Sequence, residues 1–113
     1  MVSQVLIVES YPDLRAGIVA ALERYDYECD AVATPEAAVL KLREHDYAYV
    51  VVDVDCSSPT DELVASLDPD ANVILISDAD PDPRDDRANS FAMLRKPFSR
   101  DELMARVRSL PAA

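Results

Sequence analysis

Several apolar runs in this sequence stop at a residue capable of chemistry. "QVLIV" is followed by Glu9 and Ser10, "VVVDVD" reaches Asp53 and then Asp55, "VILIS" ends at Ser77, and "LRKPF" presents Lys96. Carboxylates, a hydroxyl and an ammonium form a set suited to phosphoryl transfer onto a carboxylate. Asp53 would attack phosphorus as the nucleophile and become an acyl phosphate. A divalent cation on oxygen ligands would offset charge on the phosphoryl oxygens. Lys96 would pair with one of those oxygens and the Ser77 hydroxyl would donate to another. Glu9 and Asp53 held close together would repel, raising the pKa of one of them unless a cation intervenes.

These groups act together only if the fold gathers them. The chain alternates between short apolar runs and helical periodicity. "QVLIV" reads as a strand, and Leu14, Ile18, Leu22 and Tyr25 then fall at helical spacing, which predicts an amphipathic helix over 12–25. "YECDAV" reads as a weaker strand. "TPEAAVLKLREH" reads as a helix with Thr34 as N-cap and Pro35 in its first turn. "YAYVVV" is a third strand, a short helix is expected over 60–67, "NVILI" is a fourth strand and "SFAML" a fifth. The last helix begins at "SRDE", where Ser99 and Glu102 have capping-box spacing, and carries Leu103, Val107 and Leu110 on one face. Continuous apolar strands alternating with helices imply a parallel sheet covered on both faces. In such a sheet ligands bind outside the carboxyl ends of the strands, where the six polar residues fall. The segment "DADPDPRDDRAN" has almost no apolar stripe, so the fourth helix should be short or irregular.

Length and charge narrow the function. A chain of 113 residues suits one domain, 1–113. Twenty-two acidic against 11 basic residues give a net charge of -11, which disfavours direct binding to nucleic acid or to an anionic membrane. Cys29 and Cys56 lack metal-type spacing and are expected as free thiols. The first apolar run is too short for a signal peptide or a membrane span, so a soluble cytoplasmic protein is expected.

Glu9, Asp53, Ser77 and Lys96-Pro97-Phe98 together resemble the receiver domain of two-component response regulators, across essentially the whole chain. "DYAYVVVDV" is similar to that family's phosphoacceptor strand and "LRKPF" to its lysine-proline signature, where the peptide bond is typically cis. The resemblance implies a flavodoxin-like (βα)5 fold with a doubly wound five-stranded parallel sheet in three α/β/α layers. It implies Asp53 as phosphoacceptor, Ser77 as switch hydroxyl, and Lys96 as the phosphate-sensing lysine. The implied metal is magnesium on Glu9, Asp53 and the backbone carbonyl of Asp55. The implied partners are a histidine kinase or phosphotransfer protein as donor, and a second copy or an effector on the face of the fourth helix, fifth strand and fifth helix. A signalling phosphoprotein, not an enzyme, is the expectation.

The sequence departs from that pattern at Ser10, where the family has a second acid, so the magnesium site is expected to be weak. Met93 replaces a customary aromatic residue and Asp78 a customary small one. Ser10-x-x-Asp13 has capping-box spacing, which predicts that Ser10 caps the first helix. Two other functions fit parts of the pattern. One is a pseudo-receiver that docks partners without responding to phosphate. The other is a phosphatase of the haloacid-dehalogenase type, suggested by "DVDCS" but disfavoured by the motif's mid-chain position. His45 and Met93 read as a helix-end residue and core packing.

Overall fold

The computed structural model describes residues 3–54, 63, 67, 72–78 and 92–110. Five strands, β1 (Ser3–Val8), β2 (Tyr27–Val32), β3 (Tyr49–Asp53), β4 (Asn72–Ser77) and β5 (Ala92–Arg95), form one sheet in the order β2-β1-β3-β4-β5. Every neighbouring pair is parallel. This is the doubly wound flavodoxin-like topology, with the chain reversing its direction of growth between β1 and β3.

The apolar strands lie where their composition requires. Val5 to Val8, Tyr49 to Val52 and Val73 to Ile76 are buried on both faces, because β1, β3 and β4 have neighbours and helical cover on each side. Alternation sorts them into two cores. Val5, Ile7, Tyr49, Val51, Ile74 and Ile76 meet Ile18 and Leu22 of α1 (Pro12–Glu23) and Leu103, Met104 and Val107 of α3 (Arg100–Ser109). Leu6, Val8, Val50, Val52, Val73 and Leu75 meet Ala38 of α2 (Pro35–Glu44), together with Leu63 and Leu67. Met93 packs against this second core, as expected of a core methionine. β2, at the sheet margin, is only partly buried.

Local chemistry sets the helix ends. Thr34 accepts from the Ala37 N–H at 3.2 Å and starts α2 ahead of Pro35. Ser99 and Glu102 exchange side-chain and backbone hydrogen bonds, both 3.1 Å, in a complete capping box. His45 is the exposed C-cap of α2. The Ser10 cap is overturned. The N-cap of α1 is Tyr11, it makes no side-chain cap bond, and Pro12 takes the first helical position, where the missing N–H is harmless. The helix also ends sooner than its apolar spacing suggested, at Glu23. Asp26 enters the left-handed region at φ 70° and turns the chain toward β2. Tyr25, beyond the helix, carries the Arg108 guanidinium 4.8 Å above its ring and so ties α1 to α3.

Among the described residues no helix is long and apolar enough to cross a membrane. Cys29 is a free, half-buried thiol whose pKa is pushed up to about 11, mainly by burial. The short helix expected over 60–67 contributes only Leu63 and Leu67 to the described residues. The segment expected to form a short or irregular fourth helix, Cys56 and Asp55 lie outside them.

Candidate functional site

The register of the sheet determines which polar residues meet. Val8 pairs with Val52 across β1 and β3, so the next residues, Glu9 and Asp53, stand level at the carboxyl edge. Asp53 pairs with Ile76 on β4, one residue before Ser77. Ser77 pairs with Arg95 on β5, and the Lys96 N–H then donates to the Ser77 carbonyl at 2.9 Å. Each polar residue is delivered by an apolar strand that cannot shift without exposing its core face.

Glu9 and Asp53 share the pleat parity of Val5, Ile7, Tyr49 and Val51, which lie in the α1/α3 core. Both are deeply buried, at 0% and 1% exposure, and Ser77 is 5% exposed. The Lys96 Nζ lies 2.5 Å from Asp53 Oδ2, with the lysine side chain 14% exposed. This is a charge-assisted contact in a largely dry setting. The Lys96–Pro97 peptide bond is cis.

Glu9 is held from several directions. Its N–H donates to the Val32 carbonyl at 3.0 Å, its carbonyl accepts from Arg15 Nη1 at 2.9 Å, and its Oε1 accepts from the Tyr11 N–H at 3.1 Å. Burial pushes the Glu9 carboxyl up to about 7, reinforced by a hydrogen bond with the Asp53 side chain. The Asp53 charge adds to the rise, while the Tyr11 N–H and the Lys96 ammonium oppose it. The expected repulsion between the two acids contributes to this rise, behind burial. Near neutral pH the pair holds a proton that a cation could displace.

Two buried carboxylates, Glu9 and Asp53, are hard oxygen donors of the kind magnesium takes, so this donor set fits the ion. Among the described residues no three histidine, cysteine, aspartate or glutamate side chains gather into a metal-holding group. Among the described residues a further ligand would come from main chain or water, and Asp55, expected to offer its carbonyl, lies outside them. Ser10 is exposed beside Glu9.

Reading the sequence brought Glu9, Asp53, Ser77 and Lys96 to one edge and missed Arg15 and the Tyr11 amide. Arg15 carries a usable signal, since it lies one turn beyond Tyr11 and next to Leu14 of the apolar stripe. An arginine there can reach back over the start of the helix.

No family model matches this chain, and no curated protein matches it. Solved structures do. The response regulator TrrA from Thermotoga maritima, in complex with Mg2+ and BeF, is 24% identical with a TM-score of 0.85, over 96% of this chain and 99% of that one. The chemotaxis response regulator CheY4 of Vibrio cholerae is 18% identical with a TM-score of 0.85, over 96% and 98%. A CheY-like receiver domain from Methylobacillus flagellatus is 20% identical with a TM-score of 0.81, again over 96% and 98%. The fold is that of CheY-like response regulator receiver domains.

Proposed function

We propose that residues 1–113 form one receiver-like domain that accepts a phosphoryl group on Asp53 from a histidine kinase or phosphotransfer protein. The observation that carries this reading is the Lys96 ammonium 2.5 Å from Asp53 Oδ2, with Glu9 level with Asp53, at the ligand-binding edge of a parallel sheet. In the transfer, an Asp53 carboxylate oxygen forms a bond to phosphorus while the bond from phosphorus to the donor's imidazole nitrogen breaks. The electron pair stays on that nitrogen. Lys96 exchanges its contact with Asp53 for a phosphoryl oxygen, and the Ser77 hydroxyl donates to another. Glu9 and Asp53, with the Asp55 main-chain carbonyl, would hold magnesium, which supplies positive charge against the phosphoryl oxygens.

A second reading is favoured by one observation. Asp53 is 1% exposed and already paired with Lys96, an arrangement that also suits a docking module of the same fold that never takes phosphate. In either case β5 and α3 offer an effector a shallow groove lined by Leu94, Glu102, Ala105, Arg106 and Ser109. The acidic surface favours protein partners over nucleic acid, and the reading as a whole is of a cytoplasmic signalling protein and not an enzyme.

Acetyl phosphate is small enough to test the buried carboxylate directly. Incubation with it and magnesium, followed by intact mass measurement, should add one phosphoryl group to the wild type and none to Asp53→Asn. An unchanged wild-type mass favours the docking module. Steady turnover of a generic phosphate ester would instead favour the phosphatase.

A further inference from the structure

We infer that Arg15 is a positioning residue for the acidic centre: it supplies the main-chain hydrogen bond that holds Glu9 in place where the β1–β2 ladder runs out. The inference deepens the reading of Glu9 as part of a magnesium-assisted phosphoacceptor site and rests on that reading.

The geometry is specific. β1 and β2 pair from Ser3↔Tyr27 to Val8↔Val32, and Glu9 makes one further ladder bond through its N–H to the Val32 carbonyl. A parallel ladder would next bring a β2 amide to the Glu9 carbonyl. β2 ends at Val32, and Thr34 becomes the N-cap of α2. The Glu9 carbonyl accepts from Arg15 Nη1 at 2.9 Å. Arg15 is itself fixed, since its N–H donates to the Tyr11 carbonyl at 2.9 Å in the first turn of α1. Tyr11 in turn donates its N–H to Glu9 Oε1. Glu9, Tyr11 and Arg15 thus close a loop of three hydrogen bonds that sets both the backbone and the carboxyl orientation of Glu9. Arg15 Nη1 bonds the Glu9 carbonyl while the carboxyl oxygen Oε1 accepts from the Tyr11 N–H, so Arg15 acts on Glu9 through the main chain. Ser10 leaves Glu9 as the acid this segment presents to the centre, which makes its orientation more consequential.

The test compares wild type, Arg15→Met, Arg15→Lys and, as a control for loss of positive charge, Arg43→Met on the exposed end of α2. Magnesium affinity is read by calorimetry, and amide hydrogen exchange is followed at Glu9, Tyr11, Ile18 and Leu22. Groups that orient metal ligands typically contribute about 10- to 100-fold in affinity. Arg15→Met should therefore weaken magnesium binding about tenfold or more and speed exchange at Glu9 and Tyr11, with Ile18 and Leu22 unchanged. Arg15→Lys should restore part of the affinity, and Arg43→Met should match wild type. Unaltered affinity in Arg15→Met, or faster exchange along all of α1, would overturn the inference. Should the wild type bind no magnesium, the phosphoacceptor reading fails. The exchange data then still decide whether Arg15 holds Glu9, and unchanged rates at Glu9 and Tyr11 would refute it.

Discussion

The two edges of the sheet are built from the same five strands and end in opposite chemical conditions. At the amino edge the polar groups form neutral or single-charge pairs. Asn72 Nδ2 donates to the Ala48 carbonyl at 3.2 Å, the Tyr27 and Tyr49 rings meet edge to face at 5.8 Å, and the Tyr47 hydroxyl donates to Asp30 Oδ2 at 2.6 Å. At the carboxyl edge, among the described residues, Glu9 and Asp53 are buried carboxylates and the Lys96 ammonium contacts Asp53. Burial costs more in the second arrangement, where both carboxylates are almost fully buried, because a carboxylate loses its hydration whether or not a cation replaces it. The difference separates an edge with a single partly buried carboxylate in a pair from one that concentrates buried charge.

Substitutions can break that contrast, and the largest effect is expected at Lys96. Lys96→Met removes the ammonium that pairs with buried Asp53, and removing one partner of a buried pair costs about 3 kcal/mol. Urea unfolding at pH 8 should show that loss, and at pH 5 a smaller one, because the carboxyls can then take up protons. Equal losses at both pH values would mean that the lysine contributes packing and not charge.

Glu9→Gln should act almost as strongly and in the opposite direction. The Glu9 carboxyl stands at about 7 in the folded chain against an ordinary 4.5, so the folded state holds a proton that the unfolded state releases. Stability contributed by this group is therefore full below about pH 4.5 and declines as pH rises to 7, by up to about 3 kcal/mol. Glu9→Gln should remove that decline and be more stable than wild type at pH 8. A variant that follows the wild-type pH profile would contradict the proposed strain at this edge.

The amino edge should respond more simply. Tyr47→Phe removes one hydroxyl from Asp30 and should cost about 1 to 2 kcal/mol, with labelling by acetyl phosphate unaffected. Lost labelling would mean that the two edges are coupled. The smallest effect is expected at Ser99→Ala, which breaks the α3 capping box for about 1 kcal/mol in thermal or urea unfolding and leaves the carboxyl edge as it is.

Much of the carboxyl edge was legible in the sequence because it depends on strand ends. A buried strand has a period of two and little freedom of register, so the residue that follows Val8, Val52 or Leu94–Arg95 has a nearly determined place. Thr34 and Ser99 were legible for a similar reason, since a cap bond spans three residues. Ser10 fits the same local pattern and was misread. Pro12 can occupy the first helical position just as readily, and that moved the cap to Tyr11. The amino edge was not legible. Tyr47 meets Asp30 across 17 positions and Asn72 meets Ala48 across 24, and neither pairing has a local signature. Arg15 falls between these cases, its target being six residues away but on the main chain, where side-chain patterns give no notice.

The claim that Asp53 accepts a phosphoryl group is tested most directly by trapping the acyl phosphate. Treatment with acetyl phosphate and magnesium, then borohydride, reduces a phosphorylated aspartate to homoserine, which tandem mass spectrometry locates. Homoserine at position 53, absent without the phosphodonor and absent from Asp53→Asn, is the predicted result. Homoserine at another acidic residue, or none while a control receiver is labelled, would contradict the account.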